Sequence, residues 1–312
     1  MKGRFISDGS EAPRQFAHPP PAGYNPQMLN SPAQTQLNFK QIDVFSAQPF
    51  MGNPLAVVLG ADGWTTEQMQ RFANWTNLSE TTFLLSPTHP LADYKVRIFT
   101  TSQEFPFAGH PTLGSCHAWL EAGGAPKNAD EVVQECGAGL VKIKRRDGRL
   151  AFAAPPLTKT GPLDDGLLNR LVRGLGLSPA DVLGHQWLVN GPRWIGLHLR
   201  SAALVLSIKP DFSQLTGLDF GLIGAYPSGH AAQFEVRGFA ITDGPIEDPV
   251  TGSLNAGFAQ WLIGAGVAPS KYIASQGTAL GRAGRLYLEQ DGAGSVWVGG
   301  DVVTRVNGTL ST

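Results

Sequence analysis

The sequence predicts an α+β protein of two similar lobes with a ligand cleft between them, and three observations carry that expectation. Runs rich in β-branched and aromatic residues alternate with a few helical stretches and turn signals, which leaves antiparallel connections available. The second half of the chain repeats the grammar of the first. Within that repeat, YKVRIFTTSQEFPFAGHPTLGSCHAWL from Tyr94 echoes FEVRGFAITDGPIEDPVTGSLNAGFAQWL from Phe234.

Taken in order, residues 1–36 are rich in Pro, Ala, Gln and Asn without hydrophobic periodicity and read as a flexible leader outside the fold. From Leu37, LNFKQIDVFS reads as a strand, QPFMGNP as a turn loop and LAVVLG as a short apolar strand. WTTEQMQRFANWTN reads as a helix, because Thr65 and Gln68 stand at capping-box spacing and Met69, Phe72 and Ala73 share one face. NLSETTFLLS and YKVRIFTT follow as strands. In the second half LAFAAPP is a strand, and DDGLLNRLVRGLGL is a helix with Leu167, Leu168, Leu171, Val172 and Leu175 on its apolar side. WIGLHL and SAALVLSI are expected as strands.

The echo runs residue by residue. Val96, Arg97 and Phe99 answer to Val236, Arg237 and Phe239, and Gly114 and Ser115 answer to Gly252 and Ser253. Both segments end on a Trp–Leu pair, at Trp119 and Trp261. Two strand–loop–helix units imply two similar lobes, and a cleft between lobes is where a small molecule is expected to bind.

Composition narrows the partner. The chain has 312 residues, 42% of them hydrophobic and 16% charged, enough to bury a substantial core. Its 24 basic and 25 acidic side chains leave no net field that would favour nucleic acid or an anionic membrane. No run approaches 18 apolar residues, and the basic N-terminus lacks the apolar core of a signal peptide. Cys116 and Cys136 show neither a CxxC spacing nor a dense disulfide pattern, so reduced thiols and a cytoplasmic location are expected. The seven histidines are scattered; His110 and His117 lack an acidic partner at metal-site spacing. There is no G-x-S-x-G elbow, and GLGLSP from Gly174 lacks the third glycine of a dinucleotide fingerprint. Neither a metal nor an organic cofactor is expected.

Candidate site residues cluster at two expected helix starts. Asp248 followed by Pro249 reads as an N-cap with proline at the first helical position, where it loses no hydrogen bond. In the first repeat His110 takes that place before Pro111, although histidine is not a favoured cap. A helix N-terminus offers unpaired N–H groups and partial positive charge, so two such termini could grip an acidic substrate from opposite sides. Gly109 would permit close approach of a ligand, or serve only as a turn glycine. Ser253, beside Gly252 in the first turn of the second helix, could donate to the same group or cap locally. Glu80 sits among Leu78, Thr81, Thr82 and Phe83 in an apparent buried strand, where a lone carboxylate is costly unless its pKa rises or it is paired. A raised pKa suits a general acid/base at neutral pH, whereas a strand-edge Glu80 would merely face solvent. Opposite Glu80 the second half carries the uncharged Asn190–Gly191–Pro192, so the acid is expected once and not twice.

The motifs FMGNPLAVV, NLSETTF, EFPFAGHPTLGS and EDPVTGS, in that order, resemble the PhzF phenazine-biosynthesis family, which shares the diaminopimelate epimerase-like fold. The resemblance spans the chain from about Leu37 onward. It implies two pseudo-symmetric lobes, each a mixed β-sheet wrapped around a central helix, with the active site between them. The implied division is a first lobe over 37–150, completed by a C-terminal strand from 296–312, and a second lobe over 151–295. It implies Glu80 as catalytic acid/base with His110 and Asp248 as polar partners, and Gly109, Gly252 and Ser253 as substrate contacts. Members of the family are often homodimers, so a homodimer is implied as well. Racemases of this fold use two opposed cysteines at the helix starts; Cys116 and Cys136 fall elsewhere, which disfavours a two-thiol mechanism.

A single acid without an opposed base suits an isomerisation, in which one group removes a proton and returns it elsewhere on the same small carboxylate-bearing molecule. The alternatives are an epimerase of an amino-acid derivative with His110 or Asp248 as second base, and a non-catalytic small-molecule-binding protein.

Overall fold

In the computed structural model, residues 36–146, 148–241 and 246–311 are described. The expected leader lies outside the described residues except for Gln36, which opens the first strand. The first half runs β1 (Gln36–Val44), β2 (Asn53–Leu59), α1 (Thr66–Thr76), β3 (Thr81–Leu85), β4 (Tyr94–Phe99), β5 (Glu104–Phe105), α2 (Gly109–Glu121), β6 (Glu131–Cys136), β7 (Gly139–Arg146) and β8 (Arg149–Ala153). The second half runs α3 (Asp165–Gly174), β9 (Val182–Val189), β10 (Arg193–Leu199), α4 (Ala202–Ser207), α5 (Phe212–Leu215), β11 (Phe220–Ala225), β12 (Phe234–Ala240), β13 (Ile246–Asp248), α6 (Gly252–Gly264), β14 (Lys271–Gln276), β15 (Gly284–Gln290), β16 (Val296–Gly300) and β17 (Val302–Ser311).

Strand pairing makes the internal repeat explicit. In the first half β2 and β3 are parallel, β4 lies antiparallel to both β3 and β5, and β6 lies parallel to β4. The second half repeats this with β10 and β11 parallel, β12 antiparallel to β11 and β13, and β14 parallel to β12. β8 pairs with β16, and β17 lies along β1. The result is two lobes of mixed sheet, α+β in class.

The repeat extends to side chains. Thr81 faces Phe99 across β3–β4, as Phe220 faces Phe239 across β11–β12. Arg97 forks onto Glu104 with bonds of 2.8 and 2.6 Å and lies 5.1 Å from the Phe99 ring centre. Arg237 forks onto Glu247 at 2.9 and 2.8 Å and lies 5.0 Å from the Phe239 ring centre. The V-R-x-F echo is therefore one ion-paired, ring-stacked unit built twice; bidentate Arg–carboxylate geometry is the kind that fixes a loop in place.

Each half also carries a 13-residue helix, α2 and α6, with apolar and small side chains buried along most of its length. Burial on nearly all sides removes the polar face that gives a surface helix its periodicity. The two helices meet at their first residues: a Cβ placed on Gly109 would lie 2.9 Å from the Gly252 Cα. Glycine is required at this crossing for that steric reason.

Four expectations need correction. SAALVLSI is not a strand but helix α4, because Ser201 caps it by accepting from the Leu204 N–H and Ala202 and Val205 share a buried face three residues apart. A short apolar run has no period by which strand and helix can be told apart. His110 is not an N-cap: α2 begins at Gly109 after Ala108, placing His110 second in the helix. Asp248 is not an N-cap either; it ends β13, and α6 begins at Gly252 after Thr251. The Gly114–Ser115 and Gly252–Ser253 pairs are thus not equivalent, since the structural partner of Gly252 is Gly109.

Candidate active site

A cavity of about 390 Å³ opens between the lobes, lined by Glu80, His110, Trp194, Asp219, Asp248 and the first residues of α2 and α6. All six candidate residues from the sequence, Glu80, Gly109, His110, Asp248, Gly252 and Ser253, line this one space.

Helix geometry explains why they converge. α2 starts after Ala108, which has no side chain to cap it, and α6 starts after Thr251, which makes no capping bond. The Thr251 hydroxyl donates instead to Asp248 Oδ2 at 2.6 Å. Both helices therefore present first-turn N–H groups without side-chain caps to the cavity, where an anion would satisfy them. Glu80 stands just before β3 in the turn that follows α1, with Asn77 in the left-handed conformation at the helix end (φ 54).

The polar side chains form one chain of contacts. Glu80 Oε2 lies 3.3 Å from His110 Nε2, and neither atom has a hydrogen-bond partner among the described residues. On the other side of the imidazole, His110 Nδ1 is 3.3 Å from Asn53 Nδ2. Asn53 donates to Asp248 Oδ1 and to the Val250 carbonyl, both at 2.9 Å. Ser253 Oγ accepts from Trp194 Nε1 at 2.9 Å, which leaves its own hydrogen free for a ligand.

Burial sets the charge states. The Glu80 side chain is only 14% exposed, and desolvation reinforced by the Asp248 charge pushes its pKa up to about 8. Burial pushes His110 down to about 3, so its imidazole is neutral. Asp248 rises to about 6 through burial, partly offset by the bonds from Thr251 and Asn53. These groups titrate as a coupled set.

Strand register corrects one expectation about the acid. Thr81 and Phe220 are equivalent in the repeat, so Asp219, directly before Phe220, is the counterpart of Glu80. The acid occurs twice; alignment of the two halves by sequence, blind to strand pairing, sets Asn190–Gly191–Pro192 opposite Glu80 instead. Asp219 Oδ1 accepts from the Ile241 N–H at 2.8 Å. Elsewhere the repeat places unlike side chains in like positions: Phe105 against Asp248, and His110 against Ser253. Sequence reasoning missed Asn53, Trp194 and Asp219. For Asn53 a signal existed, an amide opening the apolar strand NPLAVVL, where a buried polar group needs partners.

Among the described residues no three His, Cys, Asp or Glu side chains stand together so as to hold a metal ion, and no helix is long and apolar enough to cross a membrane.

Two pseudo-symmetric α+β lobes around central helices, with an acid-lined cavity where those helices meet, define the diaminopimelate epimerase-like class. Residues 42–308 match the family of phenazine biosynthesis-like proteins, and the chain belongs to that family. It is similar to antisense-enhancing sequence 1 of Schizosaccharomyces pombe, at 36% identity across 88% of this chain and 98% of that protein. It is also similar to the trans-2,3-dihydro-3-hydroxyanthranilate isomerase of Pseudomonas aeruginosa, at 33% identity across 81% of this chain and 90% of that one. A PhzF-family structure from Enterococcus faecalis superposes with a TM-score of 0.73 at 23% identity, covering 88% of this chain and 99% of its own. A hydroxyproline epimerase from Agrobacterium vitis shares the fold, with a TM-score of 0.53 at 13% identity over 88% of this chain and 92% of that one. The protein is an enzyme of the isomerase class within this family.

Proposed function

We propose that the protein is a cofactor-independent isomerase that moves a proton between two carbons of a small cyclic amino or hydroxy acid, with Glu80 as its acid/base. One observation carries the reading: a desolvated carboxyl oxygen of Glu80 and a ring nitrogen of His110 face each other at 3.3 Å on the cavity wall, each without a protein hydrogen-bond partner. Such atoms are costly to bury unless a ligand completes them.

The step is balanced within one molecule. Glu80 as carboxylate takes a proton from a carbon beside a π-system, and the C–H electron pair enters that system as the double bond shifts. Glu80 as carboxylic acid then returns the proton to the distal carbon, leaving substrate and product with one formula. The raised pKa of Glu80 keeps both forms accessible near neutral pH. The uncapped starts of α2 and α6 hold the substrate carboxylate and stabilise negative charge as it develops. Asp248 and Ser253 position ring substituents. A cavity of about 390 Å³ suits a single-ring acid, and trans-2,3-dihydro-3-hydroxyanthranilate, the compound in the name of the P. aeruginosa relative, is the first to assay.

Glu80→Gln tests the role while keeping the side chain's shape. Loss of a general acid/base costs about 10²–10⁴-fold in rate; a threefold drop or less would remove Glu80 from the mechanism.

The Glu80–Asp219 equivalence favours a second reading, a two-base epimerase in which Asp219 serves the opposite face of the substrate. The two readings differ in whether configuration inverts at the carbon that loses its proton.

A further inference from the structure

We infer that Asn53 is a positioning residue that locks His110 in the tautomer with its proton on Nε2, so that His110 presents Glu80 with an N–H and never with a basic nitrogen. Asn53 is fully buried, and its Nδ2 stands 2.9 Å from Asp248 Oδ1 and 2.9 Å from the Val250 carbonyl oxygen. Carboxylate and carbonyl oxygens only accept, so the NH₂ group must face them; the flipped amide would set oxygen against two oxygens. Asn53 Oδ1 is left buried without a partner, a cost the site bears to keep this orientation.

The same NH₂ group lies 3.3 Å from His110 Nδ1. A proton on Nδ1 would point at a group that offers only N–H and has nothing to accept it. Nδ1 is therefore the bare nitrogen, and Nε2 carries the hydrogen on the side facing Glu80 Oε2. Two consequences follow for the proposed reaction, on which this inference rests. The Nε2–H, 3.3 Å from Glu80 Oε2, favours the carboxylate form of Glu80 by its partial positive charge. His110 cannot relieve Glu80 of its proton at Nε2, and taking one at Nδ1 would require displacing the Asn53 amide. The proton that Glu80 removes stays with Glu80 until it is returned to substrate. Asp248 is held in the same way, with Oδ1 engaged by Asn53 and Oδ2 by Thr251. Asn53 thus ties β2 of the first lobe to the segment before α6 of the second and turns two candidate bases into fixed partners.

The test is a long-range ¹H–¹⁵N correlation spectrum of the ¹⁵N-histidine-labelled protein near pH 7 without substrate, with the His110 signals assigned by their loss in His110→Asn. The expected result is a neutral ring with Nε2 protonated and Nδ1 bare. A ring protonated on Nδ1, or on both nitrogens, overturns the inference. Because no turnover is involved, this result is independent of whether Glu80→Gln abolishes activity. In Asn53→Ala the Nδ1-protonated form is expected to become populated, with kcat reduced by about 10²-fold, the scale of losing one preorganised donor, and KM changed little. A folded Asn53→Ala protein that keeps the single Nε2-protonated form overturns the inference as well, and the wild-type spectrum decides the matter even if that variant does not fold.

Discussion

Glu80 is the residue on which the proposed chemistry turns. A carboxyl raised to about 8 in the folded protein holds its proton more tightly than in the unfolded chain, where it titrates in the ordinary carboxylate range near 4.5. Between those two values the unfolded state binds fewer protons, so the contribution of Glu80 to stability falls as pH rises through about 8 and is fully restored below about 4.5. Glu80→Gln is accordingly expected to melt at least about 2 °C above wild type at pH 9, and level with it at pH 4. Thermal melts at both pH values check this; an equal offset at both would show that Glu80 carries no such burden. The unusual character of Glu80 was legible in the sequence, because a carboxylate inside an apolar β-type run has few cheap explanations. Asn53 showed only as an amide opening an apolar strand, and its role was hidden because its acceptors, Asp248 and Val250, lie nearly two hundred residues away. Asp219 was hidden for a different reason: its equivalence to Glu80 exists only in strand register, and the text around the two residues differs.

At the scale of elements, the helix starts of α2 and α6 bring the site together. Their glycines touch: a Cβ at Gly109 would meet both the Gly252 Cα and the Phe152 ring at 2.9 Å. Gly109→Ala should therefore cost about 1–3 kcal/mol through overpacking. Gly264→Ala, near the end of α6 with no atom within 4 Å of the added methyl, should be neutral or slightly stabilising. Urea titrations of the two variants compare them, and equal midpoints would show that the helix crossing tolerates a methyl. Capping rules located these helices to within a few residues but set His110 and Asp248 in the wrong positions. The rules assume a start whose N–H groups are satisfied by a side chain, and both of these starts omit that cap. Disagreement between local rules and the observed start is expected where a helix end is kept open for a ligand.

The whole molecule is a duplicated frame in which an acid recurs, as Glu80 and Asp219, while the side chains around it differ between the halves. The doubled Arg97–Glu104 and Arg237–Glu247 units were visible as a V-R-x-F echo because they are structural and identical in both halves. The site residues diverge between the halves, so the repeat located the cleft without assigning roles across it. His110 stands where the second half has Ser253, and Asp248 where the first has Phe105. In the proposed mechanism His110 and Asp248 are fixed partners and Glu80 carries the proton out and back on one substrate molecule, so the reaction proposed is a double-bond migration. ¹H NMR of the product formed in D₂O tests that claim most directly. The expected product carries a shifted double bond, at most one deuteron at the newly saturated carbon, and every untouched stereocentre retained. Deuterium at the original carbon with inverted configuration and an unmoved double bond would contradict it.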